Sequence, residues 1–187
     1  MQSAAKRSRQ TGPPLFSQLL NTPIGPMIAV AGDGGVALLE FTDAQGVEHR
    51  FSSTQRLLHR PILPGGHPLL DRLQRELNDY FSGQRRNFSV PLLPAGSDFQ
   101  KLVWSSLRNL PFGQTIHYQA LATRLGRPTA SRAVARANGS NRLYLLIPCH
   151  RVMGKDNKLC GYGGGIWRKQ WLLDWEKSHM KNEAATS

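Results

Sequence analysis

The stretch LYLLIPCHRVMG, residues 143–154, places Cys149 and His150 directly after a continuous apolar run and a proline. An apolar run of this length that ends at a proline is typical of a buried strand, so we expect Cys149 where a strand enters the core and stops. A thiol in that position is either inert core packing or a nucleophile. Neighbouring residues on an extended strand point to opposite faces, so contact between Cys149 and His150 requires a turn at the cysteine or a bridging water.

Upstream of this stretch, the first half of the chain predicts a sheet covered by a helix. Short apolar segments alternate with the turn compositions NTPIGP and GDGG, and they predict an antiparallel strand set: 14–20, 27–31 and 35–41. Apolar residues at helical spacing then predict a helix over 68–82, closed near Gly83. Prolines and a glycine break every periodicity in 87–96, so we interpret this segment as a linker.

The chain after the linker begins with a helix start signal. Ser97 and Gln100 have the spacing of a capping box. We expect the helix that follows to pack through an apolar face made of Phe99, Leu102, Val103 and Leu107. The sequence PFGQTIHY, residues 111–118, ends this helix and predicts a short extended piece.

Two further short helices are predicted around a turn. The first is YQALATRLG, closed by Gly126, and the turn contains Pro128. The second helix carries small and apolar residues: Ala130, Ala133, Val134 and Ala137. In a basic chain this pair resembles a helix-turn-helix, although spacing alone favours an ordinary helical hairpin.

The last helix, WRKQWLLDWEKS, repeats tryptophan every four residues, at Trp167, Trp171 and Trp175. This stripe predicts core packing rather than a surface on which bases stack. The loop before it, GYGGGI, has the composition of a plain glycine-rich connection.

Composition and charge indicate a polyanionic partner. The 187 residues include 24 Lys and Arg against 12 Asp and Glu, a formal charge of +12. Nucleic acid is the first candidate, and a membrane surface or a charge that serves only solubility remains open. No run approaches the roughly 20 apolar residues of a spanning helix, and the basic residues 1–12 predict a solvated tail without the apolar segment of a secretory signal. Two cysteines, Cys149 and Cys160, make no disulfide framework, and we expect a cytoplasmic protein that keeps both as thiols.

A cysteine nucleophile needs a base that removes the thiol proton, and the sequence does not by itself place one beside Cys149. A free thiol near its reference pKa of ~8.5 is mostly protonated at neutral pH, so it needs a base and a group that orients the base. His150 is the candidate base, and Glu176 on the last helix is a candidate to hold the imidazole. Spacing alone does not place Glu176 there, and a Cys-His dipeptide at a strand end is more often structural.

The surrounding motifs resemble one family. IPCHRV at 147–152, preceded by RAVARANGSN and followed by GYGGGIWRKQWLLDWE, is similar to the O6-alkylguanine-DNA alkyltransferases, which repair DNA by direct reversal. The similarity covers about 99–176 and extends more weakly to an N-terminal domain that begins with TPIGPM. It implies an α/β (α+β) fold, with a basic tail at 1–12, an RNase H-like sheet-plus-helix domain at 13–86, a linker at 87–96 and a winged-helix-like domain with a helix-turn-helix at 97–187.

The resemblance also implies a role for each matching residue. Cys149 would accept the alkyl group from guanine O6 in one in-line displacement and keep it as a thioether. His150 would deprotonate the thiol through a water molecule, Glu176 would orient His150, and Asn141 would brace the turn. Tyr118 would donate a proton to guanine N3, so that the guanine does not leave as a bare anion.

The flipped base and the DNA would contact further residues. The resemblance implies a base pocket formed by Val152, Tyr162, Gly163 and Gly164. Arg132 would enter the duplex and fill the space of the extruded nucleotide, on a minor-groove surface that includes Arg127, Thr129, Ala130, Ser131, Ala133 and Ala137. The implied partner is double-stranded DNA containing O6-alkylguanine, and O4-alkylthymine is a second expected lesion. No cofactor and no membrane partner are implied, and we expect a monomer in solution, with cooperative binding to DNA left open.

Some positions depart from the family pattern. Ser131 replaces an alanine, and Gly163 stands where some members have a serine that contacts O6. Some members also carry a zinc site in the N-terminal domain, built from cysteine and histidine. Since no cysteine precedes Cys149, we expect no metal, and we interpret Cys160 as buried filling.

Three other classes of protein fit the sequence less well. Alkyltransferase-like lesion-binding proteins replace the acceptor cysteine, which Cys149 argues against. A helix-turn-helix transcription regulator of this kind carries an extra zinc-cysteine domain, for which this chain lacks the length and the cysteines. A cysteine hydrolase would need an oxyanion hole and a peptide or ester cleft, and it would not need a DNA-directed surface.

Overall fold

A four-stranded sheet forms the base of the first half of the chain. In the computed structural model, which describes residues 12–184, the strands are β1 (Leu15–Leu20), β2 (Met27–Gly32), β3 (Gly35–Phe41) and β4 (Ile62–Pro64). Their order in the sheet is β3-β2-β1-β4. Strand β2 is antiparallel to both β1 and β3, and β4 is parallel to β1. The three predicted antiparallel strands are therefore confirmed, and residues 1–11 of the predicted basic tail lie outside the described residues.

The sequence did not predict helix α1 (Val47–Leu58) or strand β4. The fully buried side chains of α1 are Ser53 and Thr54, so this helix has little apolar periodicity that a sequence pattern could reveal. Its polar face receives Arg142, whose Nη1 contacts the hydroxyls of both residues. A polar contact with a distant residue therefore accounts for a helix that hydrophobic patterning misses.

Helix α2 (Pro68–Phe81) packs on the sheet as predicted. It begins with a proline in its first turn and with His67 Nδ1 accepting a hydrogen bond from Leu69 N at 3.2 Å. Its apolar face is buried through Leu70, Leu73 and Leu77. Gly83, just beyond its end, has a φ of 79°, which glycine adopts without the strain that other residues would suffer.

Helix α3 (Asp98–Arg108) has the predicted capping box and packs through three of its four predicted face residues: Phe99, Val103 and Leu107. Ser97 Oγ accepts from Gln100 N at 3.3 Å, and Gln100 Oε1 accepts from Ser97 N at 2.8 Å. The buried side chains are Val103, Trp104 and Leu107, whereas Leu102 is 44% exposed. The prediction that Leu102 belongs to the packed face is wrong, because the Trp104 indole is drawn inward, where its Nε1 donates to Ala137 O at 2.8 Å.

The second half continues with short elements that frame one loop. Strand β5 (Ile116–His117) leads into α4 (Tyr118–Arg124), which is followed by α5 (Ser131–Gly139), and β5 pairs in parallel with β6 (Val152–Met153). The predicted pair of short helices is thereby confirmed. The chain ends in the long helix α6 (Ile166–Ala184).

The tryptophan stripe of α6 is only partly core. Trp171 and Trp175 are half-buried and stack on each other with ring centroids 5.3 Å apart. Trp167 is 56% exposed, so the prediction of core packing is wrong for this residue. It lies instead beside the guanidinium of Arg168, whose Cζ is 4.4 Å from the centroid of the indole ring.

The apolar run before Cys149 is buried but is not the strand that its composition predicts. Only its first residue, Leu143, pairs with the sheet, beside Leu39 of β3. Leu145 then has a φ of 68°, which breaks any extended course, and residues Cys149–Arg151 form a single 3-10 turn. The strand prediction fails because a buried amide, Asn141, folds the run back into a compact loop.

Hydrogen bonds tie this loop to the N-terminal sheet. Leu39 N donates to Arg142 O at 2.8 Å, and Tyr144 N donates to Leu39 O at 2.9 Å. One apolar cluster continues through both halves and includes Leu39, Leu77 and Leu107. The cysteine loop is therefore held by residues from the whole described chain.

Candidate active site

Cys149 lies at the start of the 3-10 turn and is nearly inaccessible, with 4% of its surface exposed. Asn141 Nδ2 donates to its Sγ at 3.0 Å. The same amide donates to Ile147 O at 2.9 Å and accepts from Leu143 N at 3.0 Å, so it fixes the loop on both sides of the apolar run. Asn141 thus touches both the sulfur and the backbone that carries it.

The expected turn at Cys149 is present. Because Cys149 and His150 lie in a 3-10 turn, their side chains do not point to opposite faces as they would on a strand. Burial raises the pKa of the Cys149 thiol to about 11, although the hydrogen bond from Asn141 and the charge of Lys169 act in the opposite direction. The sulfur is therefore a protonated thiol at neutral pH. Any attack by this sulfur requires a base that removes its proton at that moment.

His150 has the geometry of that base. Its Nε2 lies 3.0 Å from Glu176 Oε1, and no hydrogen-bond partner of its Nδ1 lies among the described residues. Since a carboxylate only accepts, Nε2 carries the proton and Nδ1 keeps a free lone pair. Burial lowers the pKa of His150, against the opposing effect of Glu176, so the neutral form that can accept a proton is favoured.

Glu176 accepts hydrogen bonds from three residues besides His150. Its Oε1 accepts from Tyr80 Oη and Arg151 Nη2, both at 2.8 Å, and its Oε2 accepts from Arg151 Nε and Gly113 N, both at 2.9 Å. Burial alone would raise the pKa of this carboxyl. The interactions with His150 and Arg151 outweigh burial and hold the pKa of Glu176 well below its ordinary value, so it is a permanent anion.

Sequence reasoning missed the buried cation Lys169. Its Nζ donates to Val152 O at 2.6 Å and to Cys160 O at 2.9 Å, which ties α6 to both ends of the segment that follows Cys149. Burial lowers the pKa of Lys169. The available signal was spacing: Lys169 and Glu176 are seven residues apart on one helix, so they lie on the same face.

The glycine loop packs closely against aromatic rings. Tyr162 is 8% exposed, and its ring centroid lies 5.3 Å from that of Tyr144 and 6.4 Å from that of His150. A Cβ on Gly163 would collide with Tyr144 Oη, and one on Gly164 would lie 2.8 Å from Phe41 Cδ2. A side chain at position 163 would therefore require Tyr144 to move.

Arg168 fastens the same loop to the N-terminal half. Its Nη1 donates to Gly164 O at 2.8 Å, its Nε donates to Ile24 O at 2.7 Å, and its Nη2 donates to Asp43 Oδ2 at 2.9 Å. Its guanidinium also lies over the Phe41 ring, 4.1 Å from the centroid. Sequence patterns do not predict this role, because Ile24 and Asp43 lie more than a hundred positions away in the chain.

Tyr118 begins α4 and is half-buried at the edge of an open cavity. Its Oη accepts a hydrogen bond from Asn138 Nδ2 at 3.3 Å. Burial raises the pKa of the phenol to about 12, with further contributions from the Cys160 and Cys149 thiols. The cavity has a volume of about 710 Å³ and lies between α4, α5 and the turn at Lys155–Asn157.

The predicted DNA surface is largely exposed. Arg132, Arg127, Thr129 and Ala133 are exposed, and Ala130 and Ser131 are half-exposed. Ala137 differs, because it is 3% exposed and packs into the core beneath α5. It therefore does not share the surface that the other residues form.

The described residues were compared with the needs of two kinds of partner, a metal ion and a membrane. Within residues 12–184, no three side chains among His, Cys, Asp and Glu come together as they would around a metal ion. None of the described helices combines the length and the apolar character that crossing a membrane requires.

Cys160 is a free, half-buried thiol rather than fully buried filling.

Comparison with known proteins adds independent information. Residues 98–178 match a family model described as "6-O-methylguanine DNA methyltransferase, DNA binding domain". A Mycobacterium tuberculosis protein named methylated-DNA–protein-cysteine methyltransferase is 40% identical over 159 residues, which are 85% of this chain and 90% of the relative. A Methanosarcina barkeri protein of the same name is 34% identical over 167 residues, 89% of this chain and all of the relative.

Solved structures agree with these relatives. The crystal structure of M. tuberculosis O6-methylguanine methyltransferase superposes with a TM-score of 0.75 at 36% identity, and covers 88% of this chain and 94% of that chain. A crystal structure of M. tuberculosis OGT in complex with DNA superposes with a TM-score of 0.72 at 38% identity, with the same coverage. The mixed α+β architecture, with its sheet and six α-helices in the described residues, is thus that of known structures.

Proposed function

Since this chain belongs to the 6-O-methylguanine DNA methyltransferase family, we propose that it repairs alkylated DNA by transferring the alkyl group to its own Cys149. One observation carries the assignment of the acceptor. Cys149 is buried in contact with Asn141, next to a histidine whose Nδ1 is free and whose Nε2 is held by Glu176. A base that a third group orients supports the proposal that His150 activates the thiol.

The reaction is a single displacement at carbon. The Cys149 proton passes through a bridging water to His150 Nδ1, and the sulfur attacks the alkyl carbon bound to guanine O6. The carbon–oxygen bond breaks, its electron pair goes to the guanine, and Tyr118 donates a proton to N3. The Tyr118 phenolate then regains a proton from water and the His150 imidazolium returns one to water, so that the proton of the thiol ends, in net terms, on the guanine. The product is a neutral guanine and a thioether on Cys149. Since nothing in this step removes the alkyl group again, each molecule reacts once.

The permanent charge of Glu176 supports the role of His150 in this step. When Nδ1 takes the proton, the imidazole becomes a cation in a buried site, which would be unfavourable without a compensating anion. Glu176 supplies that anion at 3.0 Å. The carboxylate therefore acts by orienting and stabilising the base, and it does not itself receive the proton.

The alkylated oxygen lies inside a stacked duplex, so we propose that the nucleotide is flipped into the pocket formed by Val152, Tyr162, Gly163 and Gly164. Extrusion costs a few kcal/mol, and insertion of Arg132 into the vacated space offsets part of it. The exposure of Arg132 at the start of α5 supports this role. The other exposed residues of the proposed minor-groove surface are Arg127, Thr129, Ala130, Ser131 and Ala133.

The finer organisation is also a proposal. We assign an RNase H-like domain to 13–86, a linker to 87–96 and a winged-helix-like domain with a helix-turn-helix to 97–187. We expect O6-alkylguanine as the main lesion, O4-alkylthymine as a second lesion, and a monomer that acts without a cofactor. A cytoplasmic location is consistent with free thiols at Cys149 and Cys160, because an alkyl acceptor must stay reduced.

A mass measurement tests this function directly. The protein is mixed with an excess of a short duplex that carries one O6-methylguanine, and its intact mass and modified peptide are then determined. We expect one methyl group per molecule on Cys149, and none in a Cys149→Ser variant. Tight binding without a mass change would favour a lesion-binding protein, and turnover beyond one equivalent would contradict the proposed chemistry.

A further inference from the structure

A second buried amide, Asn138 on α5, contacts the phenol that the proposed reaction uses as a proton donor. Its Nδ2 donates to Tyr118 Oη at 3.3 Å. We propose that Asn138 is a positioning residue for Tyr118. By donating a hydrogen bond to the phenol oxygen, Asn138 leaves the phenol proton directed toward the substrate base. This inference rests on the proposed function, because it takes Tyr118 to be the donor to the leaving guanine.

The burial of Asn138 is hard to explain by stability alone. The residue is 3% exposed, and its Oδ1 has no hydrogen-bond partner among the described residues. An unpaired buried amide oxygen is unfavourable, and an apolar side chain of similar size would avoid that cost. The side-chain hydrogen bond that the described structure assigns to Asn138 is the one to Tyr118. The amide is therefore best understood through what it does to the phenol.

The direction of this hydrogen bond decides where the phenol proton points. A phenol has one proton to donate and lone pairs with which it accepts. An amide nitrogen only donates, so Tyr118 Oη is the acceptor toward Asn138 and its proton remains for another partner. In the structure without DNA that partner is the Cys160 sulfur, which the substrate base would replace. Tyr118 also lines the cavity beside α4 and α5, together with Ser131 and Lys155. Tyr118 therefore borders open space from which a substrate base can reach the phenol.

The ionisation state of Tyr118 fits an oriented donor. Burial, the charge of Cys160 and a hydrogen bond with it, and the charge of Cys149 together raise the pKa of the phenol to about 12, against the opposing hydrogen bond from Asn138. The phenol therefore keeps its proton at neutral pH. A donor that is already oriented toward the position where negative charge develops needs no reorganisation during the reaction, which is the condition for effective stabilisation.

A double-mutant comparison tests the coupling between the two residues. Single-turnover methyl transfer from the O6-methylguanine duplex is measured for the wild type, Asn138→Leu, Tyr118→Phe and the double variant. We expect Asn138→Leu to react about two- to tenfold more slowly, the range that one neutral hydrogen bond supplies. In the Tyr118→Phe background the same change should cost nothing further. An undiminished loss in that background would overturn the inference, because Asn138 would then act through packing.

An Asn138→Asp variant tests the direction of the hydrogen bond. At neutral pH a carboxylate only accepts, so it would take the phenol proton and slow the reaction more than Asn138→Leu does. Below the pKa of the new carboxyl, the protonated acid can donate again, and the rate should recover relative to the wild type. A wild-type rate for Asn138→Asp at neutral pH would mean that the amide oxygen faces the phenol, and the inference would fail.

Two controls separate this inference from the function beneath it. The affinity of each variant for the unmodified duplex and its melting temperature show whether binding or folding has changed. Transfer of a methyl group to Cys149 by the wild type tests the proposed function by itself. Without that transfer both proposals fail, whereas transfer that is indifferent to Asn138 refutes only the positioning role.

Discussion

Tyr80 and Glu176 are separated by 96 residues in the chain, and Tyr80 Oη donates to Glu176 Oε1 at 2.8 Å in the core. Tyr80 belongs to α2 of the N-terminal half, and Glu176 belongs to α6. The same carboxylate oxygen contacts His150 Nε2. The N-terminal half therefore takes part in holding the base of the proposed reaction, in addition to supporting the fold.

Replacing Tyr80 with phenylalanine should slow methyl transfer to Cys149 several-fold. The change removes one donor to a charged acceptor, which is worth about 1.5–3 kcal/mol, and leaves the ring packed against Phe81 and Phe112. The rate is measured by quenching the reaction at intervals and determining the methylated fraction by mass. The exposed Ser178→Ala change on α6 is the control, and a wild-type rate for Tyr80→Phe would show that the other donors suffice.

Replacing Glu176 with glutamine should destabilise the protein by about 3–5 kcal/mol at pH 7, because Arg151 is left as an unpaired buried charge. The pKa of Glu176 lies below its unfolded value, so its contribution to stability is complete above the unfolded pKa and is lost as the pH falls below it. The wild type should therefore lose stability between pH 5 and pH 3 more steeply than the variant does. Urea unfolding at several pH values measures both slopes, and parallel slopes would contradict the assignment.

Replacing Gly163 with serine should destabilise the protein by about 1–3 kcal/mol, because the new Cβ meets Tyr144 Oη. Tyr144 is 2% exposed and packs against Phe41 and Tyr162, so its ring has little room to move. A Tyr144→Phe change removes the oxygen and should restore part of the lost stability. Thermal unfolding of the two single variants and the double variant measures this, and strictly additive losses would rule out the collision as the cause.

Motif-bearing residues and strongly periodic elements could be predicted from the sequence. Local patterns predict the strands β1 to β3, the helix α2 and the capping box of Ser97, and the structure confirms each of them. Cys149, His150 and Glu176 were identified by resemblance rather than by spacing, because residues 26 positions apart meet only through the packing of α6.

Features that depend on distant polar partners could not be predicted in this way. The helix α1 buries Ser53 and Thr54, whose partner is Arg142. The buried cations Lys169 and Arg168 look like solvated positions in the sequence, since charged side chains are seldom buried without partners. Those partners are mostly backbone carbonyls, which carry no sequence signal.

Replacing Arg168 with methionine should loosen the glycine loop and reduce stability by about 2–4 kcal/mol, since three charged hydrogen bonds are lost. Amide hydrogen exchange at residues 161–165 should become faster, and methyl transfer should become slower. Arg136→Met is the matched control, because Arg136 is exposed on α5. Unchanged exchange at 161–165 would show that the loop is held without Arg168.

Replacing Arg132 with alanine should impair repair of duplex DNA more than reaction with the free base O6-benzylguanine. Only the duplex requires extrusion of the nucleotide, which costs a few kcal/mol, so we expect a loss of about 10- to 100-fold on the duplex and little change on the free base. Arg136→Ala removes the same charge from the same helix and is the control for general electrostatic attraction. If both substrates lost the same factor, Arg132 would act on the pocket itself, and the proposed insertion into the duplex would have to be abandoned.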